Sequence, residues 1–252
     1  MSMFDELLPP IEPQQSAHIK YHPEIEQGSD EWLAVRCGIL TASNVKHIVS
    51  KKTDKKTGEV TFKIPDDDKM WSHVYELAAQ RVNNFVEPTF IGHDMMRGHE
   101  DEIYACIEYE KHYSALERCG FITNDKYGFK IGYSPDALVG HDGLIECKSR
   151  RQKFQFETIS EYKVPDEYVL QLQTGLLVSE RKWIDFVSYS GGMMMMTLRV
   201  FPDKAIQDAI VEASIAFNEK MQKAISQYQE RLANKDARFI ATERRIYEEM
   251  TI

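Results

Sequence analysis

Residues 134–150 read "SPDALVGHDGLIECKSR", and this stretch decides the fold. Asp136, Glu146 and Lys148 stand in it among apolar neighbours. A charge near an apolar core is costly unless it is paired or held by a metal. "HDG" at 141–143 is a turn signal between two short apolar runs, which predicts a hairpin. On the second strand alternate residues share a face, so Glu146 and Lys148 project together and Cys147 points away. The turn brings Asp136 alongside. Two carboxylates so close repel unless a cation lies between them, and an all-oxygen set suits Mg²⁺ or Mn²⁺. A lysine beside that pair can orient a water and stabilise charge on a phosphate, as metal-assisted phosphodiester hydrolysis requires. A surface hairpin with a cross-strand ion pair accounts for the same three residues, and the pattern alone does not separate the two.

Outward from the hairpin, the flanks predict one mixed α/β domain. Residues 1–24 are Pro-rich and non-periodic, an expected extended arm, and 25–252 form the expected single domain. Residues 29–37 predict a short helix with Ser29 as cap and Gly38 as stop. Thr41 or Ser43 is expected to cap a second one. Residues 51–68 are polar and predict a loop, with "VTFKI" as a candidate ribbon. Residues 69–82 place Trp71, Val74, Tyr75, Ala78 and Val82 on one helical face. Further helices are expected over 94–113, over 166–179 and from Asp203 onward. Strands are expected at "GFITND", "GFKIGYSPDALVG", "GLIECKS", "KWIDFVSYS" and "MMMMTLRVF". The Met193–Met196 run fits core filling, since Met packs adaptably.

The chain has 252 residues, 42% hydrophobic and 28% charged, an ordinary globular composition. It lacks an apolar run long enough to span a bilayer. The acidic, Pro-rich start does not read as a signal peptide, which makes the cytoplasm the expected location. The four cysteines form no CxxC pair and the histidines no HExxH, so neither a disulfide framework nor a zinc site is expected. A net charge of −9 argues against a protein that coats nucleic acid. It leaves room for an enzyme gripping DNA in a local basic channel. Lys148, Arg150, Arg151 and Lys153 form such a cluster directly after the hairpin.

Pro135-Asp136, nine residues, then Glu146-Cys147-Lys148 is similar to the signature of the PD-(D/E)xK nuclease superfamily. Three more segments extend the likeness: "QGSDEWLAVRCGILTAS", "RGHEDEIYACIEYE" and "YVLQLQTGLLVSERKWIDFVSY". In this order, across roughly residues 27–230, the chain resembles the lambda exonuclease / YqaJ viral recombinase family. The resemblance implies a restriction-endonuclease-like core, a central mixed β-sheet flanked by helices. It implies a metal-dependent 5′→3′ exonuclease on linear double-stranded DNA in a bacterial host cell, leaving 3′ single-stranded tails for phage-type recombination. A ring-shaped homotrimer, a single-strand annealing partner and two Mg²⁺ or Mn²⁺ ions per site are implied as well.

Carried over by position, Asp136 and Glu146 match the family's metal-binding acids and Lys148 its catalytic lysine. The backbone carbonyl of Cys147 would complete the metal shell, and Glu102 matches a helix-borne glutamate near the metals, with Glu100 as its rival. Arg36 and Ser43 match an "RxGxxTAS" element that implies a pocket for the terminal 5′-phosphate. A guanidinium clamps phosphate oxygens in a fork. Ser134 and Gln171 match further phosphate-contacting positions, whereas Tyr168, near Gln171, fits simple packing. The chain departs from the family pattern at "SRR" after the lysine, where Cys-Pro or Pro is usual, and at Ala137, where glycine is usual. The alternatives are an endonuclease, a resolvase or a Cas4-like enzyme of the same superfamily, or a non-catalytic DNA-binding module on that fold.

Overall fold

In the computed structural model, residues 16–244 are described apart from 55, 59, 89–91 and 235. The hairpin forms as the turn signal predicts. Strand β7 (Ala137–Val139) runs antiparallel to β8 (Gly143–Ser149), with Leu138 opposite Leu144. Gly140 turns the chain at φ 51°, a left-handed value that glycine adopts without a Cβ penalty. Strand β9 (Trp183–Tyr189) lies parallel to β8, and β10 (Met196–Val200) antiparallel to β9, giving a mixed sheet in the order β10-β9-β8-β7.

A second sheet has the order β1-β5-β6-β2. It comprises β1 (Ile19–His22), β2 (Leu40–Thr41), β5 (Phe121–Asn124) and β6 (Ile131–Tyr133). Strands β3 (Ser50–Thr53) and β4 (Val60–Lys63) pair as a separate exposed ribbon. It occupies the stretch expected as a loop and extends the "VTFKI" ribbon by a partner strand.

Helices cover both faces of the β10-β9-β8-β7 sheet. On one side, α5 (Asp166–Ser179) buries Leu172 and Leu176 against Leu144, Ile184 and Phe186. On the other, α3 (His93–His112) buries Ala105 and Tyr109 against Ile145, Cys147 and Val187. Each large apolar side chain so buried contributes about 1.5–3 kcal/mol. Helices α2 (Asp68–Asn83) and α6 (Lys204–Leu232) pack together through Met70, Val74, Leu77, Ile210, Phe217 and Met221. Their caps behave as predicted for α6, where the Asp203 carboxylate accepts from Ile206 N at 3.1 Å. Helix α1 (Asp30–Arg36) is likewise capped by Ser29, which accepts from Trp32 N at 3.2 Å.

Several expectations need correction. The first fifteen residues of the expected arm lie outside the described residues, but Ile19–His22 is strand β1, paired residue for residue with β5. Backbone pairing draws Ile19–His22 onto the sheet, so these residues are not a free arm. Thr41 precedes a 3₁₀ turn (Ala42–His47) and makes no side-chain cap bond. On α2, Tyr75 and Val82 are exposed, and the inward face runs through Met70, His73, Val74 and Leu77. Of the methionine run, Met196 is buried and Met194 exposed. Helix α4 (Gln152–Glu161) was not expected at all.

Candidate active site

Strand β8 is the floor of the site. Its residues Glu146 and Lys148 alternate onto the face toward α5, as the pleat requires. Glu146 is 2% exposed and all its oxygens are engaged. Tyr133 donates to Oε2 at 2.7 Å. Lys148 Nζ and Gln171 Nε2 donate to Oε1 at 2.6 and 2.5 Å. Asp136, at the start of β7, accepts the Cys147 N–H on Oδ2 at 2.5 Å. Gly175 makes room for this packing. A Cβ there would stand 2.8 Å from the ring of Tyr133.

The electrostatics follow from the crowding. Burial raises the pKa of Asp136 well above the ordinary carboxylate value; Glu146 and Glu102 add to the rise, against Lys148 and the Cys147 N–H. Glu102 is raised in the same way, by burial first and Glu146 next, although a hydrogen bond to Asp136 offsets part of it. Burial disfavours the Lys148 ammonium, but Glu146 and Asp136 outweigh it and hold its pKa above the ordinary lysine value. Tyr133 is pushed up by burial and by both carboxylates, so it keeps the proton it donates. Three carboxylates thus share one ammonium. Among the described residues no three Asp, Glu, His or Cys side chains form a ready-made metal cage. Glu146 is turned onto its donors and Asp136 onto a backbone N–H. As a donor set, three hard carboxylates with an excess of negative charge fit a hard divalent cation.

The rotation of helix α3 over β8 places the two rival glutamates differently. Glu102 reaches Asp136, while Glu100 points to solvent. Asp101 accepts the Ser149 hydroxyl at 2.5 Å, and Arg97 donates to the same hydroxyl at 3.1 Å. These bonds lock α3 to the end of β8.

Beside this cluster sits an arginine of a different kind. Arg36, the last residue of α1, donates to Ser134 Oγ at 3.0 Å, two residues before Asp136. Its guanidinium lies 3.9 Å from the Trp32 ring centroid, and Trp32 Nε1 donates to the same Ser134 oxygen at 3.0 Å. Burial pushes its pKa down to about 10. It remains a cation at neutral pH, yet among the described residues no carboxylate pairs with it. A half-buried cation without a counter-ion is costly and favours an incoming anion. Ser43 hydrogen-bonds Thr41 Oγ1 at 3.3 Å, and among the described residues it makes no hydrogen bond to Arg36 or Ser134. The parallel pairing of Thr41 with Gly132 nevertheless puts Ser43 and Ser134 at the same end of adjacent strands.

The model of the YqaJ-like viral recombinase domain matches residues 31–182. The chain belongs to the YqaJ-like viral recombinase family. Among solved structures it is similar to an alkaline exonuclease, LHK-Exo, from Laribacter hongkongensis. Identity is 28% and the TM-score 0.69, over 81% of this chain and 98% of that one. A second structure of LHK-Exo, in complex with dAMP, matches with the same values. A phage-related exonuclease from Haemophilus somnus matches at 16% identity and TM-score 0.48, over 75% of this chain and 96% of that one. No curated protein matches the chain. The fold is thus the nuclease fold that the family resemblance implies, with mixed sheets flanked by helices.

Within this YqaJ-like domain, sequence reading passed over three contacts. Trp32 lies one helical turn before Arg36 on α1, a spacing that does put the two side chains together. Tyr133 carries no signal beyond its place next to the Ser-Pro-Asp stretch. Tyr168 is more than packing. Its ring lies 5.6 Å from Lys148 Nζ, and its hydroxyl accepts from Arg150 at 2.6 Å.

Proposed function

We propose that the chain is a DNA exonuclease that degrades the 5′-ended strand of linear duplex and leaves a 3′ tail for recombination. The observation that carries this is the pairing of two features: a carboxylate–lysine cluster, and, at Ser134 beside it, a half-buried arginine with no counter-ion among the described residues. The first suits phosphodiester hydrolysis and the second a terminal phosphate. The family and the likeness to an alkaline exonuclease support the same activity.

In this mechanism Asp136, Glu146 and Glu102, with the Cys147 carbonyl, are the groups that would hold Mg²⁺ or Mn²⁺. Such an ion supplies Lewis-acid activation of water and neutralises phosphate charge. The chain's own residues do the rest. Glu146 and Asp136 hold the Lys148 pKa above the ordinary lysine value despite burial, which suits a donor to a water or a phosphate oxygen. Gln171 and Tyr133 fix the Glu146 carboxylate, so it does not reorganise as charge develops. Arg36 and Ser134, with Ser43 at the same sheet end, would clamp the 5′-phosphate and set the scissile bond one nucleotide away. The homotrimer and the annealing partner belong to the same proposal. Light scattering tests the first, and a monomer would count against a closed ring. Among the described residues no helix is long and apolar enough to cross a membrane.

The test uses linear duplex with 5′-phosphate ends, the same duplex with 5′-hydroxyl ends, and a closed circle, each with and without Mg²⁺. Expected are metal-dependent loss of the phosphorylated duplex, slower loss of the hydroxyl form and an intact circle. A cut circle would show an endonuclease. Binding without cleavage in Mg²⁺ or Mn²⁺ would leave only a non-catalytic module.

A further inference from the structure

The departure "SRR" after Lys148 has a structural consequence. Arg150 stands two residues beyond Lys148, and the strand ladder continues to it, its N–H donating to Tyr189 O at 2.7 Å. Its side chain is 8% exposed. The Nη1 donates to Glu167 Oε1 and to the Tyr168 hydroxyl, both at 2.6 Å. The guanidinium is flanked by the rings of Phe154 and Tyr168, each with its centroid 5.3 Å away. Its Nε is buried without a hydrogen-bond partner. A guanidinium so placed is costly, and a surface bond to Glu167 would not require that burial.

What the burial achieves lies on the other side of Tyr168. That ring stacks on Phe186 at 5.6 Å and carries Lys148 Nζ over it at 5.6 Å, within cation–π range. Tyr168 also lies three residues before Gln171, so the two share a face of α5. Holding the Tyr168 hydroxyl holds both the wall behind Lys148 and the donor to Glu146. We infer that Arg150 is a positioning residue, which acts through Tyr168 to align Lys148 and Gln171 on Glu146. A proline, usual near this point in the family pattern, has no side chain that could make this bond. The inference rests on the exonuclease proposed above.

The experiment is a double-mutant cycle on the full chain: wild type, Arg150→Ala, Tyr168→Phe and the pair. Steady-state kinetics on 5′-phosphorylated linear duplex in Mg²⁺ are read together with the melting temperature. Each single change is expected to lower kcat about tenfold, roughly 1.4 kcal/mol of barrier, with KM within about twofold. The pair is expected to be no slower than the worse single variant, because both break one connection. Multiplying effects would overturn the inference, as would a rise in KM at unchanged kcat, which marks a plain DNA contact. Should Arg150→Ala fail to fold, Tyr168→Phe decides alone, since it keeps the ring; an unchanged kcat then overturns the inference. A wild-type chain that cleaves no linear DNA would instead bring down the exonuclease itself.

Discussion

Two carboxylates are buried on neighbouring strands of one sheet, and they live in opposite electrostatic conditions. Asp185 on β9 pairs in register with Ile145 of β8, and Phe186 with Glu146, so the two acids face opposite sides. Toward α3, Asp185 takes both donors of Arg199, at 2.8 and 2.9 Å, and the Tyr109 hydroxyl at 2.6 Å. The arginine sits directly across the strand pair and lies 3.6 Å over Trp183. One anion meets one cation in a fork, the favourable geometry for such a pair. Toward α5, Glu146 takes the Lys148 ammonium, whose charge Asp136 and, from α3, Glu102 also draw on. The first arrangement is complete as it stands and binds the fold. The second carries surplus negative charge, and only a further cation or a substrate's chemistry gives a reason for keeping it. Burial alone therefore does not separate the two acids; the balance of charge around them does.

The largest effect should come from removing the ammonium on the unbalanced side. Lys148→Ala is expected to lower turnover by about 10²–10³-fold, the cost of losing one donor aimed at developing charge. DNA affinity should change little, since Arg36 and the basic residues around the site remain. Single-turnover cleavage alongside a binding titration separates the two quantities. A variant that turns over at the wild-type rate would remove Lys148 from the chemistry.

On the balanced side the same kind of change should act on stability. Arg199→Ala leaves Asp185 buried without its counter-ion. Breaking such pairs costs up to several kcal/mol. Arg199 is 47% exposed, so about 2–3 kcal/mol is expected, a fall of roughly 5–10 °C in Tm. Cleavage per folded molecule should stay near wild type. If activity dropped while the melting temperature held, the division of labour between the two faces would be wrong.

Legibility in the sequence follows a similar division. The hairpin acids were readable because turn, alternation and charges all lie within seventeen consecutive residues. Helices α5 and α6 were readable because their apolar residues recur at helical spacing, and Asp203 caps α6 as its chemistry predicts. Helix α4 was not, because its pattern runs backwards. Gln155 and Thr158 are buried, whereas Phe154 and Phe156 are exposed. Gln155 is inside because it bonds Ser188 O and Met194 O at 3.0 and 2.8 Å, partners more than thirty residues away. Glu102 and Glu100 could not be separated for a related reason. The choice depends on how α3 is rotated over β8, which Ser149 and Asp101 fix across 48 positions. The reading of Arg36 as a phosphate ligand rests on the family likeness. That no counter-ion pairs with it among the described residues appears only once the chain is folded.

The smallest effect is also the most direct probe of the surplus charge. Asp136 titrates above its ordinary value of 3.8 in the folded chain. Between that value and the raised one, the folded state holds a proton that the unfolded chain has lost, so stability falls as pH rises through this window. Without metal, at any pH above the ordinary value, keeping Asp136 in the fold therefore costs stability, whether it is held as a buried proton or as a buried charge. Asp136→Asn keeps an oxygen to accept the Cys147 N–H and deletes the charge. It is expected to melt about 2–4 °C above wild type in metal-free buffer, roughly 1 kcal/mol. Mg²⁺ should raise the wild-type Tm and move the Asn variant less, because binding to the folded state alone is what stabilises. Melting curves at neutral pH, with chelator and with added Mg²⁺, read both. A metal-free Asn variant that melts below wild type would mean that Asp136 is stabilised as an anion in the folded chain. The two faces of the sheet would then be balanced alike.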